Sequence, residues 1–103
     1  MGTFHKVAEV KELAPGSGKS VEVSGQRIAL FNVGGTFYAI GDACTHRGGS
    51  LAEGTLEGTT VSCPLHGAEF EVTTGKNLTP PAPGEVPTYK VRVEGDEIQV
   101  EIP

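Results

Sequence analysis

The chain has 103 residues, 37% hydrophobic and 20% charged, with 15 glycines and 7 prolines; this suits one domain of many short elements and tight turns and leaves no length for a second, catalytic domain. Its formal charge of −5 excludes the clustered basic surface on which nucleic-acid binding depends and fits a positively charged protein partner. No apolar run reaches the roughly 20 residues of a membrane span, and residues 1–20 carry Lys6, Glu9, Lys11 and Glu12 in place of a signal-peptide core, so a soluble, cytoplasmic, monomeric protein is expected.

Period-two alternation predicts strands at about Thr3–Val10, Ser20–Val23, Arg27–Asn32 and Phe37–Ile40, the last two joined through Val33-Gly34-Gly35-Thr36, a hairpin signal. This first half is expected to form a meander. Val7–Leu13 is the best candidate for a helix and is ambiguous. The run Gly-Asp-Ala-Cys-Thr-His-Arg-Gly-Gly-Ser over residues 41–50 has no periodicity and reads as a loop. Short strands follow at Gly54–Leu56 and Thr60–Ser62, then a second loop, Cys63-Pro64-Leu65-His66-Gly67, and a strand near Glu69–Thr73 ended by Thr74-Gly75. Residues 79–87, with Pro80, Pro81, Pro83 and Pro87, are expected as a stiff extended connection, because proline cannot donate to a ladder. Tyr89–Val93 and Glu97–Ile102, turned by Glu94-Gly95-Asp96, complete an all-β chain as a final hairpin.

Chemistry is concentrated in the two loops. One holds Cys44 and His46, the other Cys63 and His66, in the pattern C-x-H-x16-C-x2-H. Any one of these residues alone would be read as structural, since cysteine packs as a small hydrophobe and histidine is often ordinary surface. Together they account for both cysteines and two of the three histidines. The third, His5, has no companion and is expected on the surface of the first strand. Thiolate and imidazole ligands suit zinc or an iron–sulfur centre and argue against calcium or magnesium. A structural zinc site usually pairs its cysteines on one short knuckle and its histidines on a helix, whereas each loop here supplies one of each. A two-iron cluster with both thiolates on one iron and both imidazoles on the other needs that mixed arrangement.

The stretch from Phe37 to Phe70, with Gly-Asp-Ala-Cys-Thr-His-Arg-Gly-Gly-Ser-Leu and Cys-Pro-Leu-His-Gly-Ala-Glu-Phe, resembles the Rieske iron–sulfur proteins. The likeness extends to the Thr-Gly turn at 74–75, the proline-rich segment and the final hairpin. It implies a single Rieske domain over residues 1–103, with a cluster-binding subdomain at about 42–73. The implied fold is three small antiparallel sheets, with the two loops as a cluster-binding tip and the proline segment packed over it. One [2Fe-2S] cluster per chain would be held by Cys44, His46, Cys63 and His66. In length the chain is similar to free-standing Rieske ferredoxins of bacterial aromatic-ring dioxygenases. These have no substrate of their own and take electrons from an NAD(P)H-dependent flavoprotein reductase to a terminal oxygenase.

High-potential respiratory members of that family carry a disulfide between the loops and Ser and Tyr hydroxyls donating to cluster sulfurs. Gly49, Leu65, Ala68 and Phe70 stand at the corresponding positions here, so the resemblance implies a low potential. Gly48, Gly49 and Gly67 follow the ligands, where tight folding lets backbone N–H groups face sulfur. Exposed imidazole edges of His46 and His66 would be the route by which an electron leaves, and Asp42, Glu53 and Glu69 are candidates for guiding a basic partner. Two other readings remain open at this point: a small subunit of a larger reductase, such as that of nitrite reductase, and a structural zinc module.

Overall fold

A computed structural model describes residues 2–42, 50–64, 68–78 and 85–102. Cys44, His46, Gly48, Gly49, Leu65, His66, Gly67 and the prolines at 80, 81 and 83 lie outside the described residues.

Among the described residues, ten strands form three antiparallel sheets. The middle sheet begins with β2 (Gly18–Val23), β3 (Gln26–Val33) and β4 (Thr36–Gly41), a meander in the order the alternation predicts. Val33 pairs with Thr36 across the two-glycine turn, as expected. Preceding them, β1 (Thr3–Glu9) runs into a single 3-10 turn, Val10–Glu12. The Glu12 carboxylate accepts the Glu9 N–H at 2.7 Å, and Pro15 follows closely enough to stop any longer helix, so the ambiguous helix over Val7–Leu13 is a strand end and one turn.

The second sheet is small: β5 (Thr55–Glu57), β6 (Thr60–Ser62) and β7 (Glu69–Glu71), in that order. The third contains β9 (Val91–Glu94) and β10 (Glu97–Ile102), with β10 central between β9 and β1. The first strand is therefore not part of the opening meander. It crosses to the end of the chain, with Thr3 opposite Ile102 and Glu9 opposite Glu97. Alternation along a strand tells which side chains share a face; the neighbouring strand is chosen by packing between distant segments. The expected strand Tyr89–Val93 also divides. β8 (Thr88–Tyr89) extends the middle sheet beside β4, and the chain changes sheets at Lys90, whose carbonyl accepts the Glu101 N–H at 2.9 Å.

The middle sheet separates two cores, and β3 serves both. Ile28 and Leu30 pack with Ala39, Ile98, Val100 and Ile102 against the β1–β10–β9 sheet. Ala29 and Phe31, the alternate residues, pack with Ile40, Leu51, Val61, Phe70 and Val72 against the β5–β6–β7 sheet. Burial on both faces explains why Ile28–Phe31 is an unbroken apolar run with no solvent face. Among the described residues no helix is long and apolar enough to cross a membrane. His5 is half-buried on β1, opposite Val100.

Candidate metal centre

The first candidate ligand loop leaves the end of β4 after Asp42 and re-enters described structure at Ser50, just before a one-turn 3-10 segment, Leu51–Glu53. The second connects β6 to β7. Cys63, one residue past β6, is buried at 2% exposure. Its N–H donates to the Ala68 carbonyl at 2.7 Å, closing the mouth of the connection in line with the Ser62–Glu69 pair of the ladder. The two ends of the connection that carries His66 are therefore fixed to each other.

Both loops stand on one core. Ile40 precedes the first loop and Leu51 and Ala52 follow it; Cys63 and Ala68 bracket the second; Val86 lies near the end of the proline segment; and all six belong to the same buried cluster. The proline segment is anchored at both ends beside the loops. On entry the Leu78 N–H donates to the Glu69 carbonyl at 2.8 Å, and on exit the Gly41 N–H donates to the Pro87 carbonyl at 2.8 Å. Gly75, at φ +78°, donates to the Glu71 carbonyl and accepts the Val86 N–H at 3.0 Å. A side chain there would collide with the Val86 carbonyl oxygen.

Of the four sequence-predicted ligands, the structure places Cys63, in the core that carries the feet of the other loop. Cys44, His46 and His66 lie outside the described residues. The placement of Cys63 suits a thiolate-held cluster: it is a buried thiol at the foot of a short β-hairpin, and the residues that flank the other cysteine-bearing segment pack in the same core. Gly54 packs against the strand that leads to Cys63. A Cβ on Gly54 would press into the carbonyl oxygen of Ser62, the residue before Cys63, so the chain after the 3-10 segment and the strand leading to the thiol are in direct backbone contact. Ala68 and Phe70 are buried at 2% and 0% exposure in the same core as Cys63 and present methyl and phenyl surface, with no hydroxyl.

Asp42 corrects the sequence reading. Expected as a surface charge for a basic partner, it is fully buried. Its carboxylate accepts from Arg27 Nη2 at 2.8 Å, Ser20 Oγ at 3.1 Å, Ser50 Oγ at 2.9 and 3.0 Å, and the Ala52 N–H at 2.9 Å. Its backbone is tied as well, the N–H to the Arg27 carbonyl at 3.1 Å and the carbonyl to the Leu51 N–H at 2.8 Å. A carboxylate so enclosed cannot steer anything in solution. Composition did not signal this role, but small polar residues at the loop's end and on β2, with an arginine on β3, were the available hint. Glu53 and Glu69 are exposed, as a guiding charge requires. Beyond Glu69, Glu71 binds the Thr73 hydroxyl at 2.6 Å and the Thr59 hydroxyl at 3.0 Å, and these donors hold its carboxyl below the ordinary glutamate value, Thr73 contributing most.

The model of the Rieske [2Fe-2S] domain matches residues 3–90 of the chain. The 3-phenylpropionate/cinnamic acid dioxygenase ferredoxin subunit of Escherichia coli (strain K12) is 54% identical over 77 residues, covering 74% of this chain and 73% of that protein. The ferredoxin of carbazole 1,9a-dioxygenase from Nocardioides aromaticivorans IC177 superposes with a TM-score of 0.90 at 33% identity, over 95% of this chain and 96% of its own. A second solved structure, a complex of reduced oxygenase and oxidized ferredoxin in carbazole 1,9a-dioxygenase, aligns with a TM-score of 0.87 at 37% identity, over 94% and 91% of the two chains.

Proposed function

Since the chain belongs to the Rieske [2Fe-2S] family, we propose that it passes single electrons from an NAD(P)H-dependent flavoprotein reductase to the terminal oxygenase of a ring-hydroxylating dioxygenase system, in the cytoplasm and with no catalytic site of its own. The observation that carries this reading is the burial of Cys63 in the one core on which both ligand loops stand. Cys44 and Cys63 would hold one iron, and His46 and His66 the other. When bound, the cluster accepts and releases one electron without a change of bonding partners in the protein.

The rest of the work falls to the chain. β6 and β7 hold the second loop by its ladder, and Asp42 and the 3-10 segment hold the first, so that little reorganisation accompanies reduction. Ala68 and Phe70 supply no hydroxyl to stabilise added negative charge. The potential is therefore expected toward the bottom of the roughly −150 to +300 mV that this ligand set spans, a level suited to accepting electrons from a reduced flavin. Docking of the oxygenase, named in the solved complex of similar chains, is assigned to the loop end, with Glu53 and Glu69 facing a basic patch.

Reconstitution tests the whole reading. The purified protein should be red-brown with two irons and two sulfides per chain. It should be reduced by a dioxygenase reductase with NADH and reoxidised by the oxygenase. A colourless protein with stoichiometric zinc, or a reduced cluster that the oxygenase leaves reduced, would overturn it.

A further inference from the structure

Asp42 stands where the chain enters the first ligand loop, and its donors come from the residues at the loop's far end and from the scaffold. The three residues that follow the loop all bind Asp42: Ser50 through its hydroxyl, Leu51 through its N–H to the Asp42 carbonyl, and Ala52 through its N–H to Oδ1. Ser20 on β2 and Arg27 on β3 hold the same carboxylate to the middle sheet. The backbone bond alone would close the turn. Burying a carboxylate costs several kcal/mol of lost hydration unless it is paired and hydrogen-bonded, and here its ion-pair partner, Arg27, is 50% exposed in its side chain. Such a group fixes geometry: four donors converge on two oxygens, and moving the loop by a fraction of an ångström breaks several of them at once.

We propose that Asp42 is a positioning residue for the iron–sulfur cluster, holding the first loop so that Cys44 and His46 meet the pair from the second loop in one geometry. The proposal rests on the ligand reading above. Asp42 is two residues from Cys44, at most about 7 Å of extended chain, so an error in its position reaches the ligand with little slack to absorb it. On the other loop the equivalent task falls to the backbone, through the Cys63–Ala68 bond and the Gly54–Ser62 contact. The two loops are thus held by different means, one by a buried charge and one by a β-ladder.

The test uses the holo-protein and four variants. Asp42→Ala removes every side-chain bond, and Asp42→Asn keeps an acceptor for Ser50 and Ala52. Ser50→Ala removes the loop-end hydroxyl, and Ser20→Ala removes a bond from β2 that does not touch the loop. Each is measured by EPR of the reduced protein, by redox titration, and by loss of visible absorption in chelator. Groups that orient metal ligands change metal affinity roughly 10–100-fold when removed, so Asp42→Ala should lose its cluster about tenfold faster or more, with shifted g-values and a displaced potential. Ser50→Ala should show the same changes to a smaller degree, Asp42→Asn should return the g-values toward those of the parent, and Ser20→Ala should leave them unmoved. If Asp42→Ala does not fold, Ser50→Ala decides. Variants with lowered melting temperatures but the parent's g-values and potential would overturn the proposal while leaving the ligand reading intact. A parent protein without a cluster would overturn both.

Discussion

The two faces of β3 support cores that work differently. On one face Ile28 and Leu30 meet Ile98, Val100 and Ile102 beneath the β1–β10 ladder, which joins six residue pairs across a register shift between Lys6 and Ala8. On the other, Ala29 and Phe31 meet strands only three residues long, small side chains such as Ala52, Cys63 and Ala68, and the base of three loops. The first core is aliphatic surface closed by long ladders, and its task is stability. The second cannot reach that degree of closure with such short strands, and it is held at particular points: the Asp42 carboxylate, the Gly54–Ser62 contact and the Gly75–Val86 contact. Stability and site geometry are thereby largely separated between the two faces of one sheet.

Ligand substitution gives the largest effect. Cys63→Ser or His66→Ala should abolish or rewire the visible and EPR spectra while far-ultraviolet circular dichroism keeps its β signature, because the β1–β10 core does not depend on the site. Core truncation comes next and separates the two regions. Phe70→Ala and Ile98→Ala should each cost roughly 2–5 kcal/mol, since both side chains are fully buried. For a domain of this size each kcal/mol lowers Tm by about 4–8 °C in a thermal melt. Only Phe70→Ala should also shorten the cluster's lifetime in chelator. If Ile98→Ala did so equally, the separation would be wrong.

Gly54→Ala is a smaller and more local probe. The added methyl must displace the Ser62 carbonyl, so g-values should shift by more than the loss of stability alone would suggest, and Ser24→Gly in the β2–β3 turn, at φ +51°, should leave them unchanged. The smallest effect concerns acid. Glu71 has its carboxyl lowered by the Thr73 and Thr59 hydroxyls, so its contribution to stability is present above the ordinary glutamate pKa and is lost as pH falls through the lower, folded value. Glu71→Gln should therefore flatten the fall of Tm on acidification below about pH 4.5, the unshifted value.

The legible part of this molecule was local. The turn at Gly34-Gly35 and the strands Thr60–Ser62 and Glu97–Ile102 follow from alternation and turn residues within a few positions. What depended on distant partners was not legible. Thr3–Glu9 alternates whichever strand it joins, and its union with β10 is decided by a core that includes residues 90 positions away. Lys90 gives no local sign that the chain changes sheets there. Asp42 illustrates the same limit at the site: an aspartate beside a loop reads as a solvated charge until Ser20, Arg27 and Ser50 are seen to converge on it. The candidate ligands stood out in the sequence because their chemistry is rare and their spacing is specific, although that spacing does not reveal how the loops are held.

The most direct test of the central claim is electron spin-echo envelope modulation of the dithionite-reduced protein, with and without 15N-histidine labelling. Two imidazole nitrogens on one iron, as His46 and His66 would supply, give two strong nitrogen couplings that change on labelling, and His66→Ala should lose either one coupling or the whole signal. A reduced cluster with no histidine nitrogen coupling, or couplings unchanged in His66→Ala, would contradict the account.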